Sequence, residues 1–274
     1  MKTLPFKQVD VFTAKPFLGN PVAVVIGAEG LSTEQMQRIA GWTNLSETTF
    51  LLAPTVKGAS YRLRIFTPRQ ELPFAGHPTI GSAHAALESG FASAADGVLR
   101  QECGAGVLEL SVEGGRIFVK APQPRLSEVA TPAFKGKKLR VDVGPVWVVA
   151  DLGGADAVDG LQPDMAQIAA MSAALDATGA TVFGRTGMPD APIHVRSFAP
   201  AHGIAEDPVC GSGNISVAAY LRETGLLKEF GPAYTARQGM QVGRDGKVEV
   251  RVSADAIRIG GDAVTCVDGR LRVG

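Results

Sequence analysis

Residues 75–90 and 210–225 align without a gap at an offset of 135 positions, about half of the 274-residue chain. The alignment sets Ala75-Gly76-His77-Pro78-Thr79-Ile80-Gly81-Ser82-Ala83 against Cys210-Gly211-Ser212-Gly213-Asn214-Ile215-Ser216-Val217-Ala218, and it continues through Glu88 with Glu223 and Gly90 with Gly225. Upstream the same register pairs Glu71 with Glu206 and Pro73 with Pro208. Arg64-Ile65-Phe66-Thr67-Pro68 follows Arg196-Ser197-Phe198-Ala199-Pro200 after a slip of three residues. An ordered series of this kind restricts the chain to two halves built alike, each with a glycine-rich turn feeding a helix. The length suits one large domain or two of ordinary size, and the repeat decides for two. We place them at residues 1–122 and 123–274, with the C-terminal strand free to return to the first.

The turn itself carries chemistry. Glu206-Asp207-Pro208 leads into Cys210-Gly211-Ser212-Gly213, and the apolar run Ile215 to Leu221 begins directly after it. The first N–H groups of a helix have no partner within it, and the helix dipole adds partial positive charge there, so each turn is a seat for an anion. For a single turn the alternative reading is a tight bend with Asn214 capping a buried helix. Its recurrence at Gly76 favours two helix N-termini serving one shared site.

The remaining elements repeat in the same order. Val9–Phe12 and Pro21–Ile26 read as strands around Phe17-Leu18-Gly19-Asn20. Ser32 and Gln35 stand at capping-box spacing before a helix carrying Met36, Ile39, Ala40 and Thr43. Glu47 sits where that helix gives way to the strand Thr48–Leu52, and its carboxylate is either a solvated strand-start group or a group at the core edge. Burial raises a carboxyl pKa, as a proton-abstracting base requires. Tyr61–Phe66 alternates as a strand, Pro78 fits the first turn of a helix, and Gly90 stops that helix. His84 reads as a packed histidine on the Ile80, Ala83, Leu87 stripe, whereas His77 lies at the turn itself. Residues 107–112 and 116–119 form a hairpin across Glu113-Gly114-Gly115. After the proline-bearing boundary at Ala121–Arg125, Val141–Val149, the helix Pro163–Leu175, Thr181–Phe183 and His194–Phe198 repeat the scheme. Lys247–Val252, Ala263–Val267 and Leu271–Val273 end the chain as strands.

Charge and composition narrow the partners. Lysine and arginine balance aspartate and glutamate at 27 each. No basic excess is left to attract nucleic acid or an anionic membrane, so a small-molecule or protein partner fits better. The N-terminal residues have no apolar core for export and no later run approaches the length of a membrane span, which reads as a cytoplasmic protein. Three widely spaced cysteines (Cys103, Cys210, Cys266) and four histidines show neither a disulfide framework nor a metal-ligand spacing. The glycine turns match neither a Walker pattern nor a dinucleotide fingerprint, so we expect neither metal nor cofactor.

Asn44-Leu45-Ser46-Glu47-Thr48, Phe74-Ala75-Gly76-His77-Pro78-Thr79 and Asp207-Pro208-Val209-Cys210-Gly211-Ser212-Gly213, in this order, make the chain resemble the phenazine-biosynthesis isomerase (PhzF-like) family over nearly its whole length. The resemblance implies an α+β fold of the diaminopimelate epimerase type. In that fold two similar domains each wrap a curved, barrel-like mixed or antiparallel sheet around a central helix, with the site in the cleft between them. It further implies Glu47 as the acid/base residue, with His77 and Asp207 holding or helping to protonate the substrate. Gly76, Cys210, Gly211, Ser212 and Gly213 would then form its binding turns, and the protein would be a homodimer. Epimerases and racemases of the wider superfamily are similar at both turns but carry a cysteine in each. Here Ala75 fills the first place and Cys210 the second. Cys210 is therefore either a small packing residue or a catalytic thiol whose pKa the helix N-terminus would lower. After Gly243-Arg244 the chain has Asp245-Gly246 where the family has Pro-Ser. The expected function is a cofactor-independent isomerase that shifts a double bond on a small carboxylate-bearing metabolite, with Glu47 moving the proton. The alternatives are an epimerase or racemase using Cys210 and Glu47, or a non-catalytic binding protein of the same fold.

Overall fold

The computed structural model describes residues 2–273. The chain forms two compact units, Met1–Lys120 with Gly260–Gly274, and Ala121–Ile259. In the first, β1 (Lys2–Val11) pairs antiparallel with β2 (Asn20–Ile26). Next α1 (Thr33–Thr43) crosses over to β3 (Thr48–Leu52), which runs parallel to β2. From there β4 (Tyr61–Phe66) returns antiparallel to β3, and the two-residue β5 (Glu71–Leu72) folds back on β4. After α2 (Gly76–Glu88), β6 (Val98–Cys103) lies parallel to β4. The hairpins to β7 (Gly106–Glu113) and β8 (Arg116–Lys120) follow.

Local sequence explains these choices. The Ser32 side chain accepts the Gln35 N–H while the Gln35 side chain accepts that of Ser32, so α1 starts on a complete capping box. In β4, Tyr61, Leu63 and Ile65 are buried while Arg62 and Arg64 alternate outward. Phe50 and Phe66 meet edge-on at 5.5 Å beneath α1, within a cluster that includes Met36 and Ala40. Burying each such side chain contributes roughly 1.5–3 kcal/mol. Gly114 and Gly115 both have positive φ, 58° and 85°, which suits a two-residue hairpin loop matched to the strand twist.

The second unit repeats the order of pairings. Strands β9 (Arg125–Glu128), β10 (Lys138–Asp142) and β11 (Val146–Gly154) pair antiparallel in turn. Helices α3 (Ala155–Asp159) and α4 (Met165–Ala174) cross to β12 (Gly179–Arg185), parallel to β11. Then β13 (Ile193–Ala199) returns antiparallel and β14 (Ile204–Asp207) folds back on it. Beyond α5 (Gly211–Thr224) and the short α6 (Leu227–Phe230), β15 (Ala233–Gln238) lies parallel to β13. It makes a hairpin with β16 (Gly246–Val252), and β17 (Ile257–Gly261) follows. The duplication is thus one of topology as well as of residues. In each unit one helix is buried almost all round, α2 against β1, β2 and β8 and α5 against β10, β11, β12 and β16. An all-round apolar helix belongs in a core rather than on a surface.

Two expectations change. The first strand begins at Lys2 rather than Val9, and the two short closing strands are one, β18 (Ala263–Val273). Both follow from one long-range pairing: β18 runs antiparallel to β1 from Val273 opposite Lys2 to Ala263 opposite Val11. Lys7, buried under this ribbon, pairs with Asp268 at 2.7 Å and Glu88 at 2.9 Å. Residues 260–274 accordingly count with the first unit. Among the described residues no helix is long and apolar enough to cross a membrane.

Candidate active site

In both units an arginine–glutamate pair leads into the glycine turn. Arg64 grips Glu71 through Nε at 2.7 Å and Nη2 at 2.6 Å, and Arg196 grips Glu206 through Nε and Nη2, both at 2.9 Å. Each guanidinium also lies 5.1 Å from the ring of the phenylalanine two residues on, Phe66 and Phe198. The second clamp is the deeper one, with side chains 5% and 8% exposed, and Arg196 further donates to the carbonyls of Val158 and Leu161. Bidentate pairs of this kind fix the direction in which a chain leaves the strand.

In the first unit, α2 starts after Ala75, an extended residue with no side-chain cap. Neither α2 nor α5 has an acidic residue in its first turn, so neither helix supplies its own counter-ion. His77, the second residue of α2, is buried, and its ring hydrogen-bonds the carbonyl of Pro21. Glu47 is held in place by its backbone: Asn44, at φ 54°, turns the chain out of α1, and the Glu47 carbonyl accepts the N–H of Ala23 on β2 at 3.4 Å. Its side chain is 14% exposed, and Oε2 lies 3.3 Å from His77 Nε2. Because Nε2 has no hydrogen bond of its own, the bond to Pro21 runs through Nδ1–H, and Nε2 turns its lone pair to the carboxylate. Burial depresses the His77 pKa from 6.5 to about 4 against the smaller effect of the Pro21 bond, so the ring is neutral at neutral pH. A carboxylate beside a neutral imidazole can hold a proton between them or release it to a third atom.

In the second unit, Asp207 ends β14 and its Oδ1 accepts the N–H of Val209 at 3.1 Å. The cap of α5 is Cys210, whose sulfur accepts the N–H of Gly213 at 3.3 Å. Asn214 does not cap; its amide donates to the Cys210 carbonyl at 2.9 Å and to Gln238 Oε1 at 3.0 Å. Gln238 in turn donates to the Asp207 carbonyl at 2.9 Å, so this fully buried side chain braces both ends of the turn. The pair Gln238-Gly239 resembles the family in sequence, but no role for Gln238 follows from that resemblance. The turn is packed tightly. A Cβ on Gly213 would lie 2.5 Å from Ser197 Oγ and 2.9 Å from Thr181 Oγ1, so only glycine lets α5 start this close to β12 and β13.

Burial pushes the Asp207 carboxyl up from 3.8 to about 6, while hydrogen bonds from Cys210 and Val209 pull the other way. The Cys210 thiol is driven well above its ordinary value, first by burial and then by the charge of Asp207. This reverses the expectation that the helix N-terminus would lower it: desolvation and a neighbouring anion outweigh half a dipole charge. Cys210 is therefore a thiol at neutral pH. Cys103 and Cys266 are half-buried thiols, and His84 contacts Thr265 Oγ1 at 3.2 Å through Nε2. Among the described residues no three His, Cys, Asp or Glu side chains are grouped to hold a metal ion.

Gly239, at φ 103°, brings the end of β15 under this turn. A Cβ there would press into the carbonyl oxygen of Pro208 and lie 2.7 Å from Arg244 Cβ. Gly239→Ala is expected to lower stability by about 2–4 kcal/mol, from left-handed strain plus a clash with rigid backbone. Urea unfolding measures this directly.

Residues 9–269 match the sequence model of phenazine biosynthesis-like proteins (PhzC-PhzF). Antisense-enhancing sequence 1 of Schizosaccharomyces pombe is 40% identical, over 97% of each chain. The trans-2,3-dihydro-3-hydroxyanthranilate isomerase of Pseudomonas aeruginosa is 31% identical, over 96% of this chain and 97% of its own. Among solved structures, a phenazine biosynthesis protein of the PhzF family from Bacillus anthracis superposes with a TM-score of 0.88 at 27% identity, over 100% of both chains. The architecture is the diaminopimelate epimerase-like fold.

Proposed function

Because the chain belongs to the phenazine biosynthesis-like (PhzC-PhzF) family, several of whose members similar to it are named isomerases, it is an isomerase, and we propose that it moves a proton on a small carboxylate-bearing metabolite with Glu47 as acid and base. The observation that carries this reading is the contact between Glu47 Oε2 and His77 Nε2, 3.3 Å long and mostly buried, beside a ring that stays neutral. Such a pair accepts a proton from an activated C–H and returns it to a different carbon. The first N–H groups of α5, those of Gly211 and Ser212, supply the seat for the substrate carboxylate, and the same groups stabilise charge that spreads onto it during deprotonation. Asp207 orients the substrate or relays the proton. An inversion by two opposed bases with Cys210 as one of them has less support, because its sulfur is engaged as the helix cap and it stays protonated.

The substrate named for the P. aeruginosa relative, trans-2,3-dihydro-3-hydroxyanthranilate, is the first candidate for this chain too. Incubated with the enzyme in deuterated water, the product is expected to carry deuterium at a single carbon while the carboxylate stays intact. Deuterium at more than one carbon, or loss of the carboxylate, would defeat the reading.

A further inference from the structure

Trp147, the second residue of β11, is buried at 3% exposure, and its indole Nε1 donates to Ser212 Oγ at 3.0 Å. Nothing in the strand pattern around it marks this contact, which joins the sheet to the second residue of α5. An indole nitrogen only donates, so the bond has one polarity: the Ser212 oxygen accepts, and the hydroxyl proton must point elsewhere. Within the protein its other neighbour is Cys210 Sγ at 3.6 Å, a long contact to a weak acceptor. At the far end the thiol bonds the Asp207 carboxylate, which when ionised only accepts. The row from Trp147 through Ser212 and Cys210 to Asp207 thus has a donor-only group at one end and an acceptor-only group at the other. Every hydrogen bond in it points the same way.

Ser212 is also the one member of Cys210-Gly211-Ser212-Gly213 that is not fully buried. Its proton is therefore directed away from the sheet and held only by a weak contact, where a carboxylate oxygen can take it over at little cost. We propose that Trp147 is a positioning residue that commits the Ser212 hydroxyl to donating toward the bound anion. The inference deepens the proposed function and rests on the anion seat at α5. A serine free to rotate presents either a proton or a lone pair to an incoming carboxylate, and the lone pair repels it. With the indole on one lone pair, the proton can no longer turn to the sheet side, and only the long contact to Cys210 Sγ competes with the incoming anion for it.

Nuclear magnetic resonance of the ¹⁵N-labelled protein tests this with the two indole signals of Trp42 and Trp147. Ser212→Ala, a small deletion at a half-buried position, is expected to move the Trp147 indole proton upfield and speed its exchange with solvent, while the exposed Trp42 signal stays in place. Sulfate is the ligand probe. Titrating it into the wild-type protein is expected to shift the Trp147 signal, and Trp147→Phe is expected to weaken sulfate binding by roughly three- to tenfold, the worth of one hydrogen bond. In a Ser212→Ala background the same change is expected to cost nothing further. An indole signal indifferent to Ser212→Ala overturns the orientation. A Trp147→Phe penalty that persists without the hydroxyl reduces Trp147 to packing and overturns the proposal as well. Should Trp147→Phe fail to unfold cooperatively, the Ser212→Ala spectra decide alone. Wild-type protein that binds no sulfate overturns the anion seat and the ligand half of the proposal together, an outcome separate from an unmoved indole.

Discussion

Glu47→Gln is expected to lower isomerase turnover by roughly 10²- to 10⁴-fold, the range that a positioned acid–base group contributes. The substitution keeps the length and the planar end of the side chain, and the backbone that places residue 47 is untouched, since it is fixed by Asn44 and by the bond between Ala23 N–H and the Glu47 carbonyl. Only the capacity to take and return a proton is lost. His77 is unsuited to replace it: with a pKa near 4 and its Nδ1–H given to Pro21, the ring is a weak base that gains a proton only in acid. The carboxylate seat proposed at α5 is left intact, so KM is expected to change less than threefold while kcat collapses, the pattern of an interaction made in the transition state alone. Thermal unfolding within a few degrees of wild type separates this result from misfolding. A Gln variant with kcat within a factor of three of wild type removes Glu47 from the chemistry.

The parts of this molecule that were legible in its sequence are those set by neighbours in the chain. The glycine turns, the helices behind them and the capping box at Ser32 each depend on a few consecutive residues, and the repeat displayed the turns twice. Even the arginine–glutamate clamps left a trace, because Arg64 and Arg196, and Glu71 and Glu206, occupy corresponding places. What stayed hidden depends on strands brought together from afar. Glu47 meets His77 only because β3 lies parallel to β2, which sets Thr48 opposite Ala23 and brings residue 47 level with Val22, next in the chain to the Pro21 carbonyl that holds the His77 ring. Lys2 to Pro5 extend as strand only because β18 returns alongside, and Trp147 reaches Ser212 only because α5 packs on β11. Cys210 failed differently. The helix-terminus rule is correct in sign, but it was applied without the burial and the Asp207 charge that act on the same sulfur, and those are the larger effects.

Stability as a function of pH is expected to separate His77 from Asp207 with slopes of opposite sign. The folded-state pKa of His77 is depressed from 6.5 to about 4. Between those values the unfolded chain binds the extra proton, so the contribution to stability is full above pH 6.5 and is lost as pH falls through 4. At 1.36 kcal/mol per unit this amounts to roughly 3 kcal/mol. Asp207 is the reverse case, raised from 3.8 to about 6. There the folded chain binds the extra proton, the contribution is full below pH 3.8, and it is lost as pH rises through 6. Its size is at most roughly 3 kcal/mol, reduced where water reaches the partly exposed carboxylate. Over pH 4 to 6 the two nearly offset, so wild-type stability measured as one number is expected to be flat there. The variants uncover what the sum conceals. Relative to wild type, His77→Asn is expected to lose ground by about 3 kcal/mol between pH 4 and 7, and Asp207→Asn to gain up to a similar amount over the same range. Urea unfolding at half-unit pH intervals reads both. Only the slope of each difference matters, since the fixed cost of altered packing or a lost hydrogen bond drops out. The two residues lie in different units, so a resolved pair of transitions assigns each slope to its own half, and a merged one returns their sum. Parallel profiles for Asp207→Asn and wild type mean that the carboxylate is not held against ionisation. In that case Asp207 has an ordinary pKa and no special readiness to relay a proton near neutral pH.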